Sequence, residues 1–281
     1  MRDQRTKQRA GFLLTCLTYM IGLTLAFSWT VGPGLAHTDS KASFKKSQHH
    51  SPEEMNEKFK AADLEVEKFI SRFEAPDREV FTAREAIVDA LAMKPGEYIA
   101  DVGAGTGIFE ELFSKAVGSG GWVYAVDISA GFLNHINGIA GEKGLKNLSC
   151  VLSRDQSICL PKDCVDTVFI CNTYHHFGES SKGELLKSID EAIRDGGRLV
   201  LIDFDRVEGK SREWIMKHIH KSSKAVIKEI EAAGFKLQEE KKVGALKENY
   251  FLIFTKGKEE KENKESDDRA DSAPTGGNDE Q

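Results

Sequence analysis

The tightest constraint on this fold is one short stretch, ADVGAGTG at positions 100–107. An apolar run at 98–102 leads into it, and a segment with helical patterning at 108–117 follows. A strand that turns through glycines into a helix brings backbone N–H groups and a helix start together, which is how doubly wound sheets bind nucleotides. Glycine suits such a turn because it accepts positive φ and lets a ligand approach without meeting a Cβ. The spacing here is G-x-G-x-G, and position 108, where a dinucleotide fingerprint needs a third, later glycine, is Ile108. No Gly-Lys-Ser/Thr follows, so the stretch is not a P-loop.

The surroundings repeat the same logic. Strand patterns at 122–128, 148–152, 165–171 and 198–204 alternate with helical patterns at 132–143, 182–193 and 222–233. Two last strands are expected near 237–243 and 250–255. Alternation of this kind predicts a parallel α/β sheet covered on both faces. The strand at 122–128 ends in Asp127, twenty positions after Gly107. A carboxylate there can accept hydrogen bonds from both hydroxyls of a ribose.

Before the sheet, Ser51-Pro52-Glu53-Glu54 has the layout of a helix start with a capping box. Met55, Phe59, Ala62, Val66, Phe69 and Phe73 then fall on one helical face, and a second helix is expected at about 78–93. The expected domain is therefore 51–257, with N-terminal helices over 51–93 and the α/β core over 94–257. Residues 37–50 read as a linker and 258–281 as a disordered charged tail. That tail holds nine Asp/Glu against four Lys/Arg, a net of −5 out of −6 for the whole chain. The remainder is close to neutral, which argues against a nucleic-acid partner.

The first nine residues carry four basic side chains and one acid, and 10–31 contain no charge. Small residues follow at Gly34 and Ala36. This reads as a signal peptide or an uncleaved signal anchor over 1–36, with membrane contact through 10–31. The expected location is exported, periplasmic or anchored to the inner membrane, a cytoplasmic domain being the other topology. Of the five cysteines, Cys159 and Cys164 could pair in an exported protein, whereas Cys150 and Cys171 suit a buried apolar role.

DVGAGTG followed by VYAVDIS resembles the first two motifs of class I S-adenosylmethionine-dependent methyltransferases, and the likeness extends over roughly 81–255. CNTYHHF, IDFDR, GKSREW and KENYFLIF resemble a group of bacterial exported or membrane-associated methyltransferase-like proteins. The resemblance implies a Rossmann-like seven-stranded sheet in the order 3-2-1-4-5-7-6, its last strand antiparallel. It implies S-adenosylmethionine as cofactor, with Asp101, Gly103, Ala104, Gly105 and Gly107 at its methionine end. Asp127 would take the ribose, with Ile128 against the adenine, Asp155 near the adenine amino group and Asn172 beside the site.

In that strand order 172–177, NTYHHF, ends the fourth strand beside the ligand crevice. His175 or His176 would then stand on the acceptor side as a base or hydrogen-bonding group, with Asp203 nearby at the end of the fifth strand. Two other roles are open to the histidines: structural capping of the next helix, or metal ligation with Asp203 and Asp205. Adjacent residues of an extended chain point apart, so no metal is expected. Downstream, Arg212, Trp214, His218 and His220 lie where acceptor pockets are shaped; Arg212 and His220 read as part of a solvated amphipathic segment, Trp214 and His218 as pocket residues. Asn172-Thr173-Tyr174 lacks the prolines of amino-group methylases, and the cysteines do not match those of arsenic methylases. The expected activity is methyl transfer to a small-molecule acceptor. Its rival is a membrane-tethered or exported non-catalytic binding module that keeps the fold.

Overall fold

The structure, a computed structural model, describes residues 51–257; the expected signal segment, linker and charged tail lie outside these residues. Four helices precede the sheet: α1 (Pro52–Glu57), α2 (Val66–Phe73), α3 (Glu79–Thr82) and α4 (Arg84–Leu91). The core then alternates through β1 (Tyr98–Val102), α5 (Glu110–Val117), β2 (Trp122–Asp127), α6 (Ala130–Lys143) and β3 (Leu148–Leu152). It continues with β4 (Val165–Cys171), a 3₁₀ turn at Tyr174–His176, α7 (Lys182–Ala192) and β5 (Ile193–Phe204). Two helices, α8 (Glu213–His218) and α9 (Ser223–Ala232), lead to β6 (Phe235–Glu240) and β7 (Asn249–Lys256). Among the described residues no helix is long and apolar enough to cross a membrane.

The seven strands are ordered β3-β2-β1-β4-β5-β7-β6, and β7 runs antiparallel to both its neighbours. Side chains alternate across the sheet as the period of two requires. Ala100, Val168, Ile170, Leu199 and Leu201 pack with α7 and α9 on one face. Ile99, Phe169, Val200 and Ile202 pack with α4 and α5 on the other, where Phe169 meets Phe109 and Phe113 at 5.0 and 5.1 Å. Strand order reverses between β1 and β4, so their carboxyl ends open a crevice there.

Three expectations about the helices are corrected. The single helical face over 55–73 is divided between α1 and α2. Phe59 and Phe69 lie ten positions apart, about 15 Å along a straight helix, yet their rings are 5.4 Å apart. Only a bend between them lets Phe59, Phe69 and Phe73 converge on Phe132 of α6, at 6.0, 5.3 and 6.1 Å. Leu64, in that bend, presses on Gly131, where a Cβ would stand 3.2 Å from its side chain. The helix expected at 78–93 breaks at Ala83 and ends at Ala92 in a left-handed cap. The segment after β5, expected to be solvated apart from Trp214 and His218, contains α8, whose Ile215 is fully buried against Phe204.

Glu79 joins the two ends of the domain. Its carboxylate accepts from the N–H groups of Lys247 and Glu248 and from the Asn249 amide, at 2.9–3.1 Å. Glu79→Ala is expected to cost about 1–3 kcal/mol by leaving those donors unpaired. That would lower the thermal midpoint by about 2–4 °C per kcal/mol, measurable by scanning calorimetry.

Candidate active site

The glycine turn is built against its neighbours on three sides. The N–H groups of Gly103 and Ala104 both donate to the Val126 carbonyl, which pins the turn to β2. Gly103 has φ +81°, and a Cβ on it would stand 2.2 Å from the Thr173 side chain at the end of β4. Gly105 (φ +57°) donates its N–H to Asp127 Oδ2 at 2.9 Å, while the Ser129 N–H reaches Oδ1 at 2.8 Å. Gly107 serves packing: a Cβ there would meet Ile136 of α6 at 2.9 Å, and the residue does not line the cavity.

Three carboxyl groups crowd beneath this turn. Burial, and next the neighbouring Glu110, hold Asp101 well above the usual carboxylate range. Burial likewise raises Glu110 to about 7 and Asp127 to about 6, the latter against the pull of the Gly105 and Ser129 N–H groups. Without a ligand the turn therefore carries protonated or strained acids. A cationic group in the cavity would favour the charged forms of Asp101 and Asp127, which line it; Glu110 does not.

Across the crevice the 3₁₀ turn at Tyr174–His176 is anchored twice. The Tyr174 hydroxyl donates to Glu229 Oε2 at 3.0 Å, and the amide of Asn56 in α1 donates to the His176 carbonyl at 3.0 Å. His175 Nδ1 lies 2.8 Å from Asp203 Oδ1, the His175 backbone N–H donates to Oδ2 at 3.1 Å, and the Phe204 N–H donates to Oδ1 at 2.8 Å. His175 and Asp203 side chains are only 8% and 1% exposed. A carboxylate on Nδ1 assigns the proton to that nitrogen and leaves Nε2 with a free lone pair. His176 does not point away from it. The turn brings the two rings to 4.2 Å, and His218 of α8 adds a third at 5.0 Å from His175. The extended geometry behind the expectation that the histidines diverge is thus replaced by a coil. Burial keeps His176 and His218 neutral, pushing the first far down and the second to about 4.

Asp101, Gly103, Ala104, Gly105, Asp127, Ile128, Asp155, Asn172, His175 and His176 all line one cavity, whereas Asp203 stands behind His175. Asp155 pairs with Lys60 at 2.9 Å. Asn172, at φ +50°, has both side-chain polar atoms buried and without a partner among the described residues. Such a group is satisfied by a bound ligand or by water. Sequence reasoning missed Glu110, Lys58, Arg72 and Arg78. Glu110 follows the glycine turn closely enough to have been suspected, but cations on a distant helix have no local signal. Arg78 lies 5.7 Å from the Phe73 and Phe204 rings, with Nε buried and unpaired among the described residues. The cysteines at 150, 159, 164 and 171 are free.

Comparison with known proteins agrees with this geometry. Residues 99–197 match the family described as a methyltransferase domain. A crystal structure of an S-adenosylmethionine-dependent methyltransferase from Aquifex aeolicus superposes with a TM-score of 0.57 at 26% identity, covering 67% of this chain and 95% of that one. The chain has the class I methyltransferase fold. A ubiquinone/menaquinone biosynthesis C-methyltransferase of Vibrio parahaemolyticus is 30% identical over 125 residues, 42% of this chain and 46% of that protein. An uncharacterised methyltransferase of Geobacillus sp. strain WCH70 is 26% identical over 151 residues, 50% of this chain and 67% of that protein. The chain thus spans less than half of the Vibrio relative.

Fold and family match imply S-adenosylmethionine as the cofactor. The residues present fit it. Asp127 keeps acceptor capacity for ribose hydroxyls beyond the two N–H groups it holds. The orphaned Asn172 amide and the raised Asp101 carboxyl suit a polar, cationic amino-acid end.

Two outcomes follow. Gly103→Ala is expected to abolish cofactor binding in calorimetric titration, because its Cβ and Thr173 cannot share the space. Glu110, raised from 4.5 to about 7, favours folding of the ligand-free chain below about pH 4.5 relative to higher pH. That contribution is lost as pH rises through 7. Glu110→Gln should therefore leave stability nearly unchanged at pH 4.5 and raise it by on the order of 2 kcal/mol at pH 8, read by denaturant titration.

Proposed function

We propose that this chain is an S-adenosylmethionine-dependent methyltransferase whose acceptor is a small molecule with a flat apolar body and an acidic group. The observation that carries the reading is the placement of His175, held by Asp203, in the same cavity as the glycine turn and Asp127. Asp127, Asn172 and the turn would hold the cofactor, which when bound supplies a methyl group on a positively charged sulfur. His175 activates the acceptor through the lone pair that its bond to Asp203 leaves on Nε2.

The acceptor class is supported by the rest of the cavity. Phe59, Phe73, Phe132, Phe204 and Trp214 supply ring surface. Lys58, Arg72 and Arg78 line it too, and none of the three forms a salt bridge among the described residues. Arg78 is partly buried with an unpaired Nε, and the more exposed Lys58 and Arg72 add positive charge at the cavity wall, which together favour an anionic ligand. An aromatic acceptor is also consistent with the Vibrio relative being named for ubiquinone/menaquinone biosynthesis.

Calorimetric titration of the full chain with S-adenosylmethionine and with S-adenosylhomocysteine tests the reading. Stoichiometric binding that is lost in Asp127→Ala is expected, and no binding by the unaltered chain would sink it. In a transfer assay against a panel of small aromatic acids, His175→Gln should reduce turnover by ~10²–10⁴-fold with cofactor affinity unchanged.

A further inference from the structure

We propose that His175, His176 and His218 form a binding site for a divalent transition-metal ion of the Zn²⁺ type, with an open position for an oxygen or sulfur donor of the acceptor. The proposal rests on the methyl-transfer reading for its purpose and on the histidines alone for its chemistry.

One nitrogen from each of the three rings lies within 4.8 Å of the other two. Ligands on a tetrahedral Zn²⁺ at about 2.0–2.1 Å sit about 3.3 Å from one another, so side-chain rotation of about 1 Å would close the set. The rings are already steered. His175 is held through Nδ1 by Asp203, the carboxylate–histidine arrangement that orients metal-bound imidazoles, so its Nε2 is the ligand atom; with an ion bound, the ion takes over from the free imidazole the role of activating the acceptor. Trp214 stacks on His218 at 4.7 Å and 27°, and Phe59 meets the His176 ring edge-on at 5.8 Å.

A second observation points to a ligand independently. His176 Nδ1 is buried and has no hydrogen-bond partner among the described residues. A buried ring nitrogen left unsatisfied is costly, and a bound group, a metal ion or a polar atom of the acceptor, would satisfy it. Three neutral nitrogen donors suit Zn²⁺, Co²⁺ or Fe²⁺ and discriminate against Mg²⁺ and Ca²⁺, which require oxygen. Three protein ligands also leave the fourth position that distinguishes catalytic from structural zinc.

Charge defines what fills that position. Lys58 and Arg72 act electrostatically on both His176 and His218, and Asp203 is the acid beside the set. A dication held by neutral ligands among these cations gains from an anion as fourth ligand. Water, hydroxide or an ionised acceptor oxygen or sulfur meets that requirement, and an ion there would make the acceptor's donor atom easier to ionise.

The test is titration of the untagged, metal-stripped full chain with Co²⁺, followed by visible absorption, then displacement by Zn²⁺. One equivalent of Co²⁺ with intense tetrahedral d–d bands, lost on adding Zn²⁺, is expected. His218→Gln, at the cavity rim, and His176→Gln should each weaken Co²⁺ binding by at least the ~10–100-fold that loss of an outer-shell partner causes. Absence of Co²⁺ binding, or equal binding by the unaltered chain and both variants, would overturn the site. S-adenosylhomocysteine titration of the same samples separates the two claims. Intact cofactor binding without metal removes only this proposal, and metal binding without cofactor removes only the methyl-transfer reading.

Discussion

The contact between Gly103 and Thr173 is where this architecture depends on a single missing side chain. The two residues lie just past the carboxyl ends of β1 and β4, the strands between which the sheet order reverses. Thr173 Oγ1 lies 3.0 Å from the Cys171 carbonyl, to which it donates, and 3.4 Å from that of Gly103. The glycine turn and the histidine turn are thereby set at a fixed separation. Any Cβ on Gly103 would move one away from the other.

Around that contact the molecule concentrates groups that are unsatisfied on their own. Asp101, Glu110 and Asp127 are acids held in burial, and Asn172 and His176 have buried polar atoms without partners among the described residues. Arg78 is a cation with a buried, unpaired nitrogen. A stable fold tolerates such groups when binding repays the cost, which is why perturbed groups gather at functional sites. The elements carrying them are well supported. Phe109, Phe113 and Phe169 pack the core beneath β1 and β4, and Glu229 and Asn56 anchor the histidine turn.

Much of the cofactor side was legible in the residues because it is local. A strand, a glycine turn and a helix start occupy consecutive positions, and Asp127 ends the very next strand, so spacing alone places them together. Strand alternation was legible for the same reason, and the order of the strands followed from the resemblance. The N-terminal helices were less so. Their apolar positions fit one long helix, and only the aromatic cluster on Phe132 shows why the chain bends at 58–65. Helix α8 was hidden because six residues are too few to establish a period.

What the chain determined by itself is therefore the set of strands, the glycine turn and its acids, since each is written in neighbouring positions. The tertiary structure decided what faces them. It coiled Tyr174–His176 so that two adjacent histidines share a side, and it brought His218 from forty-two positions beyond His176 to join them. It also set Asp203 behind His175, and Lys58, Arg72 and Arg78 around the cavity. These residues meet only because α1 packs on the histidine turn, α2 on Phe132 of α6 and α8 on Phe204 at the end of β5. That packing is a property of the whole domain, and no local pattern encodes it.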